Sequence, residues 1–307
     1  MFSLHELEVF NAAAEFGNFS EAARRLHISQ PAVSQAISSL EKHFGTDLFL
    51  RQGRSVRLTE AGQALRPMAL ELFAASRRLD ETMASLHGEV VGEITVGCST
   101  ASGKYLLPRL IARFRENFPQ VRINVLVSSR AQVIERLLSG RAALGITSKR
   151  IEHRELEYHD FFDDEVILIA PAQHPWANYR RVYPDDLLDE PIILREEGSG
   201  TLEVLFQGLR MHDISPDMLS VAMVLGNAEA IEMAVEEGIG IAFISRLAAA
   251  RCLALGRIVE VKVEGMSLRR NISLVRNRKQ PSTRAQGEFW DYVVSSKVQG
   301  SIIQPVS

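Results

Sequence analysis

Hydrophobic positions in residues 20–41, SEAARRLHISQPAVSQAISSLE, follow the spacing of two short amphipathic helices joined by a tight turn. Ser20 and Ser29 are their predicted caps, because a serine hydroxyl accepts hydrogen bonds from the free amides of a first helical turn. His27 and Ile28 are predicted to form the turn. The apolar face of the second helix consists of Val33, Ile37 and Leu40. This arrangement predicts a helix-turn-helix, which places its second helix in the major groove of DNA.

The opposite face of the second helix is polar and uncharged. We expect DNA contacts from its first turn and this outer face: Ser29, Gln30, Pro31, Ser34, Gln35 and Ser38. A glutamine amide pairs bidentately with adenine, and a short hydroxyl approaches either base type. Proline is tolerated in a first turn, whose amides have no partner within the helix. The alternative is a polar helix surface in an ordinary bundle.

Residues 47–58, DLFLRQGRSVRL, predict two short strands around a turn at Gly53, which makes the motif a winged helix. Arg51 and Arg54 are the predicted DNA contacts of this wing, where arginine neutralises phosphates or enters the minor groove. Residues 1–58 carry six basic and six acidic side chains, but residues 24–58 carry six basic and two acidic ones. Charge segregation of this kind attracts DNA to one face of the domain. Arginines that are merely solvated are the alternative.

Apolar residues then recur in steps of four and three through residues 59–86. They are Ala61, Leu65, Met68, Leu72, Ala75, Leu79, Met83 and Leu86. This heptad pattern predicts a long dimerising helix, about 42 Å in length at 1.5 Å per residue. The alternative is a helix packed against its own chain. Pro67 lacks a backbone donor and is predicted to bend the helix near Gln63 or to break it.

After residue 88 the pattern changes to short β-rich runs that alternate with helical segments. The predicted strands are residues 93–98, 123–127, 143–147, 165–171, 191–194, 220–225, 240–244 and 271–275. The helices that lie between several of these strands predict parallel βαβ units. Two lobes with a cleft between them are the expected result.

Small polar residues follow several of these strands. The candidates for ligand binding are Ser99, Thr100, Ser102, Ser128, Thr147, Ser199, Thr201 and Asn227. Hydroxyls and amides at helix starts bind small anions, so the expected ligand is a carboxylate or an inorganic oxyanion. Arg130 or Arg195 contributes charge in this interpretation. The same residue types are also common as ordinary caps and turn residues.

Residues 4–62 closely resemble the amino-terminal domain of LysR-type transcriptional regulators. The resemblance rests on the phenylalanine-rich first helix, the SQPAVS run, GTDLF at residues 45–49 and LTEAG at residues 58–62. It implies an α/β protein with an N-terminal winged helix-turn-helix, a long linker helix and a two-lobed, periplasmic-binding-protein-like (type II) effector domain. Ser99, Thr100, Thr147 and Thr201 occupy positions that line the effector cleft in that family.

The same resemblance sets the expected boundaries of the domains. They are residues 1–58 for DNA binding, 59–87 for the linker helix and 88–307 for the effector domain. The first lobe is expected at about 93–162 and 270–296, and the second at about 163–269. The implied function is transcriptional regulation, by a homodimer or a homotetramer that binds a partly palindromic operator in double-stranded DNA and responds to a small effector.

Composition agrees with a cytoplasmic protein of two or three domains. The chain has 307 residues, of which 46% are hydrophobic and 24% are charged, and neither an uninterrupted apolar span nor a secretory leader is recognisable. Cys98 and Cys252 are far apart and in no metal-ligand spacing, so neither a disulfide framework nor a metal site is expected. No cofactor motif is recognisable, and no cofactor is expected.

Two other functions remain open. One is a ligand-binding or enzymatic α/β protein. The sequence supports it less than it supports a regulator, because the chain lacks a nucleophile motif: GCSTASG at residues 97–103 does not match G-x-S-x-G. A redox-sensing regulator is the other, because a thiol at a strand end beside a helix start, where Cys98 is predicted to lie, can have a lowered pKa and react with oxidants.

Overall fold

The computed structural model describes residues 2–52, 55–85, 89–98, 103 and 105–295 of the 307-residue chain. The chain divides into two units, residues 1–89 with 139–141 and residues 90–138 with 142–307. The smaller unit contains the helix-turn-helix and the long helix that follows it. The larger unit contains the α/β part of the chain.

Helices and a hairpin build the smaller unit. Its elements are α1 (Leu4–Phe16), α2 (Phe19–Leu26), α3 (Gln30–Phe44), β1 (Phe49–Gln52), β2 (Ser55–Leu58) and α4 (Glu60–Ser85). The first three helices pack around a buried core that includes Leu7, Phe10 and Leu40. The rings of Phe10 and Phe19 each lie 5.4 Å from the ring of Phe49, measured between centroids, so the hairpin packs on the same core.

The predicted turn and the start of the second helix are confirmed. His27 adopts the left-handed conformation, with φ of 55°, and ends α2. Ser29 caps α3, and its hydroxyl oxygen accepts a hydrogen bond from the N–H of Ala32 at 3.3 Å. Pro31 lies in the first turn, as expected. The apolar residues Val33, Ile37 and Leu40 are all buried.

The predicted cap at Ser20 is wrong, because α2 begins at Phe19, two residues earlier than a cap at Ser20 implies. Asn18 is the cap, and its Oδ1 accepts hydrogen bonds from the backbone N–H of Ser20 at 2.8 Å and of Glu21 at 3.2 Å. Asparagine and serine are both good caps, so the sequence around the helix start allowed either register.

The predicted hairpin is also present. β1 and β2 pair antiparallel, with Gln52 opposite Ser55. Gly53 and Arg54 lie outside the described residues, and so does the side chain of Arg51. The turn and the arginine contacts predicted there stay predictions.

A carboxylate of α3 holds the base of this hairpin. Oε1 of Glu41 accepts hydrogen bonds from the backbone N–H of Leu48 at 2.8 Å and of Phe49 at 3.3 Å. The carboxylate thereby satisfies two backbone N–H groups at the start of the hairpin. These hydrogen bonds fix the wing relative to α3.

The start of α4 crosses close to the hairpin. The hydroxyl of Thr59 accepts a hydrogen bond from the N–H of Gly62 at 3.0 Å and donates one to the carbonyl of Asp47 at 2.7 Å. A Cβ atom at Gly62 would lie 2.3 Å from the carbonyl oxygen of Leu48, so this position has room only for glycine.

The long helix continues through Pro67 without a break. Its 26 residues correspond to about 39 Å at 1.5 Å per residue. Several of the predicted seam residues have side chains that are 44–63% exposed in the single chain: Met68, Leu72, Leu79 and Met83. Leu86 lies outside the described residues. The helix therefore presents apolar surface of the kind that a second helix covers.

The larger unit is a mixed α/β structure. Its helices and strands are β3 (Gly92–Cys98), α5 (Leu107–Asn117), β4 (Val121–Val127), α6 (Arg130–Leu138), β5 (Leu144–Thr147), β6 (Leu156–Pro171), β7 (Arg181–Val182), β8 (Ile192–Arg195), α7 (Gly200–Arg210), β9 (Val221–Leu225), α8 (Ala228–Glu236), β10 (Ile241–Ser245), α9 (Arg246–Ala254), β11 (Ile258–Val263), β12 (Leu268–Asn277) and α10 (Arg284–Val294). Short 3₁₀ helices lie at Pro175–Ala177, Pro184–Leu188 and Pro216–Met218.

The strands join in the order β4-β3-β5-β12-β6-β10-β8-β9, and β11 pairs with β6 and with β7. β3 pairs in parallel with β4 and β5, and β8 pairs in parallel with β9 and β10. β6 and β12 are long and run antiparallel to each other, so they connect the two parallel sets. We call these sets, with their helices, the first lobe (β3–β5, α5, α6, α10) and the second lobe (β7–β11, α7–α9).

Each lobe has its own apolar core. The first is built around Ile94, Phe114 and Phe289, the last of which lies on the final helix. The second lobe packs one cluster on each face of its sheet, around Leu205 and Phe243 on one side and residues such as Ile231 on the other. The chain thus returns to the first lobe after completing the second.

The predicted parallel sheet is only partly correct. The expected strand at 165–171 is the second half of β6, and its first half, which begins at residue 156, was not predicted. β11 was not predicted either. Charged residues interrupt the apolar pattern in both segments, EYHDFFDDE in the first half of β6 and EVK in β11, which hides them from a search for apolar runs.

We expect Asn18→Ala to destabilise the helix-turn-helix by about 1 kcal/mol, since it removes the cap of α2. Hydrogen–deuterium exchange of α2 peptides in the full chain should then become about fivefold faster. Ser20→Ala is the control, because Ser20 is exposed and contributes only its backbone amide to the cap. Equal acceleration by both substitutions would contradict the assignment of Asn18 as the cap.

Candidate nucleic-acid interface and ligand cavity

The outer face of α3 is open to solvent and uncharged. Gln30, Gln35 and Ser38 are exposed, and Ser34 is half-buried. Nε2 of Gln30 donates a hydrogen bond to Oγ of Ser34 at 3.0 Å, which orders the amide along the helix. The face presents amides and hydroxyls of the kind that read base edges.

Exposed arginines lie on the elements that precede and follow α3 in the chain. Arg24 and Arg25 are exposed at the end of α2, and Arg57 is exposed on β2. Arg24 pairs with Glu21, and the guanidinium of Arg25 lies 5.7 Å from the ring centroid of Phe16. Cations beside a neutral reading face suit contacts with phosphates on either side of a groove.

In the larger unit, a cavity of about 490 Å³ lies between the two lobes. It is lined by Ser128, Ser129, Arg130, Ala131, Ser148, Ile151, Arg195, Glu196, Glu197, Gly198, Ser199, Gly200, Gly226 and Arg270. Most of these side chains are polar or charged, so the cavity suits a small polar ligand.

Two helices begin at the wall of this cavity. α6 starts at Arg130 in the first lobe, and α7 starts at Gly200 in the second. Ser199 caps α7, and its hydroxyl oxygen accepts a hydrogen bond from the N–H of Thr201 at 3.2 Å. Helix N-termini carry unpaired N–H groups and a partial positive charge, so both contribute to attraction of an anion.

Arg270 forms the floor of the cavity and is almost fully buried. Its Nε and Nη2 donate to Oδ2 of Asp164 at 2.9 and 2.7 Å, and its Nη1 donates to Oγ1 of Thr201 at 3.0 Å. Asp164 also accepts a hydrogen bond from the hydroxyl of Ser245 at 2.6 Å. The Arg270 guanidinium on β12 thus binds both Asp164 on β6 and Thr201 on α7.

The other two arginines of the cavity are also paired. Arg195 donates from Nε and Nη2 to Glu196 at 2.7 and 2.8 Å. Arg130 donates from Nη2 and Nη1 to Glu203 at 2.6 and 3.3 Å, and this contact joins α6 of the first lobe to α7 of the second. The Arg130 guanidinium holds the pKa of the Glu203 carboxyl below its usual range, chiefly through this hydrogen bond.

The structure brings some of the predicted ligand residues to the cavity. Ser128 and Ser199 line it, as do the two arginines expected to contribute charge, Arg130 and Arg195. Other candidates are engaged in support of the wall. Thr201 accepts from Arg270, and Thr147 is buried and donates to the carbonyl of Lys149 at 3.3 Å. Asn227 caps α8 by accepting from the N–H of Ala230 at 2.7 Å.

Ser99, Thr100 and Ser102 lie outside the described residues. Their assignment to the ligand site stays a prediction, as do the roles of the other candidates.

Arg270 and Ser148 are cavity residues that the sequence did not reveal. Arg270 lies in the run LRRNISLV, which reads as a strand with a charged start, and only the pairing of β12 with β6 brings it to the floor. Ser148 follows the predicted strand that ends at Thr147, so a search one residue further along would have found it.

Tyr105 makes a second contact between the lobes. It follows the loop after β3, packs against the second-lobe core and donates from its hydroxyl to Oε1 of Glu229 at 3.2 Å. Burial, with the negative charges of Glu232 and Glu229, raises the pKa of this phenol. The hydroxyl therefore stays protonated and remains a donor at neutral pH.

The expectation of a lowered pKa at Cys98 is wrong. The thiol is fully buried at the end of β3, and burial raises its pKa to about 11. The sequence placed Cys98 at a strand end, but it did not show that the side chain points into the first-lobe core.

Two family models match the chain. Residues 4–63 match the model described as "Bacterial regulatory helix-turn-helix protein, lysR family". Residues 87–297 match the model described as "LysR substrate binding domain". Together they cover the helix-turn-helix and nearly all of the larger unit.

Similar full-length proteins are transcriptional regulators. The HTH-type transcriptional activator CmpR of Synechocystis sp. is 32% identical over 305 residues, which is 98% of each chain. A probable RuBisCO transcriptional regulator of Guillardia theta is 33% identical over 294 residues, which is 94% of each chain.

Solved structures share the fold. CbnR, crystallised with its target DNA, superposes with a TM-score of 0.70 at 24% identity and covers 95% of this chain and 99% of its own. The regulatory domain of Synechocystis CcmR in complex with 2-PG has a TM-score of 0.60 at 26% identity and covers 66% of this chain and 96% of its own.

None of the described helices has the length and apolar character needed to cross a bilayer. The fold, with its winged helix-turn-helix, long helix and two-lobed α/β unit, is consistent with both family models and with the similar regulators. The chain therefore belongs to the LysR family of transcriptional regulators.

Proposed function

We propose that the protein regulates transcription by binding promoter DNA as a dimer of dimers and by responding to a small anion in the cavity between its lobes. The observation that carries the effector half of this proposal is the convergence of three arginines and two helix N-termini on one cavity. Both features favour negatively charged ligands.

The DNA half of the proposal rests on α3. The outer face of α3 offers Gln30, Ser34, Gln35 and Ser38 for base contacts. We assign Ser29 and Pro31, at the N-terminus of α3, to contacts with the DNA backbone. Arg51 and Arg54 of the wing are assigned to phosphates or the minor groove. The family relatives are named as transcriptional regulators, which supports this assignment.

Dimerisation is proposed to occur through α4. The exposed apolar side chains of Met68, Leu72, Leu79 and Met83 repeat along this helix, and pairing with a second copy would cover them. Two-fold symmetric heads match a partly palindromic operator with half-sites about one helical turn, or a multiple of it, apart. We propose that two such dimers form the active homotetramer.

The effector is proposed to be a small carboxylate or oxyanion. CcmR, whose regulatory domain shares this fold, was crystallised with 2-PG, and we take that anion as the first ligand to examine. A cavity of about 490 Å³ is ample for a molecule of a few heavy atoms with its water.

We further propose that the protein is not an enzyme and acts in the cytoplasm, where its DNA target lies. The relatives are regulators rather than enzymes. In the described part of the cavity wall, the hydroxyl of Ser199 accepts a hydrogen bond from a helix amide, and the hydroxyl of Ser128 accepts one from an arginine. Neither is hydrogen-bonded to a histidine, as an activated nucleophile would be.

Base contacts and phosphate contacts should respond differently to substitution. We expect Gln30→Ala and Ser34→Ala each to weaken binding to a selected operator by about tenfold while binding to scrambled DNA changes little. Arg54→Ala should weaken both and lower the salt dependence by about one released ion. Fluorescence anisotropy over a KCl series measures both quantities, with DNA selected from a random library.

His5→Ala is the control for these variants, because His5 is exposed on α1. Equal losses on operator and scrambled DNA for Gln30→Ala, Ser34→Ala and Arg54→Ala would refute the assigned roles.

Anion binding should depend on Arg130. We expect Arg130→Gln to weaken binding of 2-PG to the full chain by tenfold or more, since a charged, bidentate donor is lost. Isothermal titration calorimetry measures the affinity. Arg246→Gln is the control, because Arg246 is paired with Glu165 and Glu260 away from the cavity. Equal affinities of native and Arg130→Gln protein would contradict this placement of the anion.

The raised pKa of Cys98 argues against redox sensing. At pH 8 a thiol with a pKa near 11 is about one-thousandth ionised, and native Cys98 is also shielded from solvent, so iodoacetamide should modify it at least about a hundredfold more slowly than the unfolded residue. The rate should rise about tenfold per pH unit until the pKa is reached. Mass spectrometry of the Cys98 peptide measures it, and rapid peroxide oxidation of the native thiol at neutral pH would restore the redox reading.

A further inference from the structure

Each arginine of the cavity already has a carboxylate partner. The pairs are Arg130 with Glu203, Arg195 with Glu196 and Arg270 with Asp164. An entering anion therefore gains a guanidinium only by sharing or displacing one of these carboxylates. The effect of the anion on the protein depends on which carboxylate it displaces.

Two of the pairs are held locally. Asp164 and Arg270 lie opposite each other on β6 and β12, and their side chains are only 3% and 7% exposed. Separation would leave a buried charge without a partner, which is strongly unfavourable. Arg195 and Glu196 are consecutive residues of one lobe, so this pair makes no bond between the lobes.

The pair between Arg130 and Glu203 differs from both. It joins the two lobes, and its side chains are 18% and 30% exposed. Arg130 lines the cavity, so a ligand there reaches the guanidinium. A second cation is also at hand, because Nζ of Lys149 lies 3.6 Å from Oε2 of Glu203. Glu203 can leave Arg130 and still have a partner.

We propose that Glu203 competes with the effector for Arg130, and that the bound anion takes over the guanidinium while Glu203 transfers to Lys149. The present contact is bidentate, with both Nη atoms on the two carboxylate oxygens. The anion that replaces it must offer two oxygens in the same geometry, as a carboxylate or a phosphate does. This exchange rests on the small-anion site proposed above and supplies its regulation.

The exchange also alters the connection between the lobes. Arg130 begins α6 and Glu203 lies on the first turns of α7, so the free protein has a direct bond across the cavity. In the bound protein the anion stands between these helices. The two states differ in their interlobe bonds, which is what a ligand needs in order to shift a conformational equilibrium.

The experiment is calorimetric titration of the full chain with 2-PG and, separately, with inorganic phosphate. Glu203→Gln removes the competitor and should tighten binding of the responding anion by about tenfold. Glu197→Gln is the matched control, because Glu197 is an exposed carboxylate at the cavity, and its substitution removes the same charge without touching the interlobe pair. It should change the affinity by less than about threefold, as expected for a solvated charge.

A second variant tests the transfer to Lys149. Lys149→Gln should weaken anion binding in the native chain, because Glu203 then loses its alternative partner, and it should have little effect in the Glu203→Gln chain. Such non-additivity is what a double-mutant cycle measures. Equal weakening in both backgrounds would mean that Lys149 contacts the anion itself, and would overturn the transfer.

The remaining outcomes separate the exchange from the site. Tightening by Glu197→Gln equal to that by Glu203→Gln would be a bulk charge effect and would overturn the exchange. If the native chain binds an anion and Glu203→Gln binds it no tighter, the exchange fails while the small-anion site stands. If neither chain binds either probe, the small-anion site fails and the exchange fails with it.

Discussion

The buried ion pair between Asp164 and Arg270 is the contact around which the larger unit is arranged. β6 and β12 run antiparallel through both lobes, and these two residues face each other where the apolar core of one lobe ends and that of the other begins. A buried pair is tolerated only when its remaining hydrogen-bonding groups are satisfied. Here Ser245 donates to the carboxylate and Thr201 accepts from the guanidinium.

This pair also positions the cavity wall. Through Thr201, Arg270 holds the first turn of α7, whose N-terminus faces the cavity. The neighbouring Gly200 allows the close approach, because a Cβ atom there would lie 2.4 Å from Oγ of Ser148 and 3.1 Å from Nη1 of Arg270. Floor and wall are therefore held in place beside an accessible contact between the lobes, Arg130 with Glu203.

The smaller unit uses a similar device. Glu41 of the recognition helix accepts from two amides at the base of the wing, and Gly62 lets the long helix start against the same hairpin. Helix, wing and linker thus share one junction. The face of α3 that is proposed to read DNA is thereby connected to the start of the helix that is proposed to dimerise.

The sequence by itself determined the local elements. The turn at His27, the cap at Ser29 and the buried face of α3 were predictable because caps and helical periodicity depend on residues a few positions apart. The choice of Asn18 over Ser20 was not, since both residues cap well. Only the tertiary structure placed Arg270 on the cavity floor, turned Thr201 toward it and buried Cys98 with a raised pKa. The burial of Cys98 depends on the packing of β3 into the first-lobe core. The placement of Arg270 and its contact with Thr201 depend on the register of β6 and β12, in which Arg270 lies opposite Asp164. The spacing of residues a few positions apart does not determine that register.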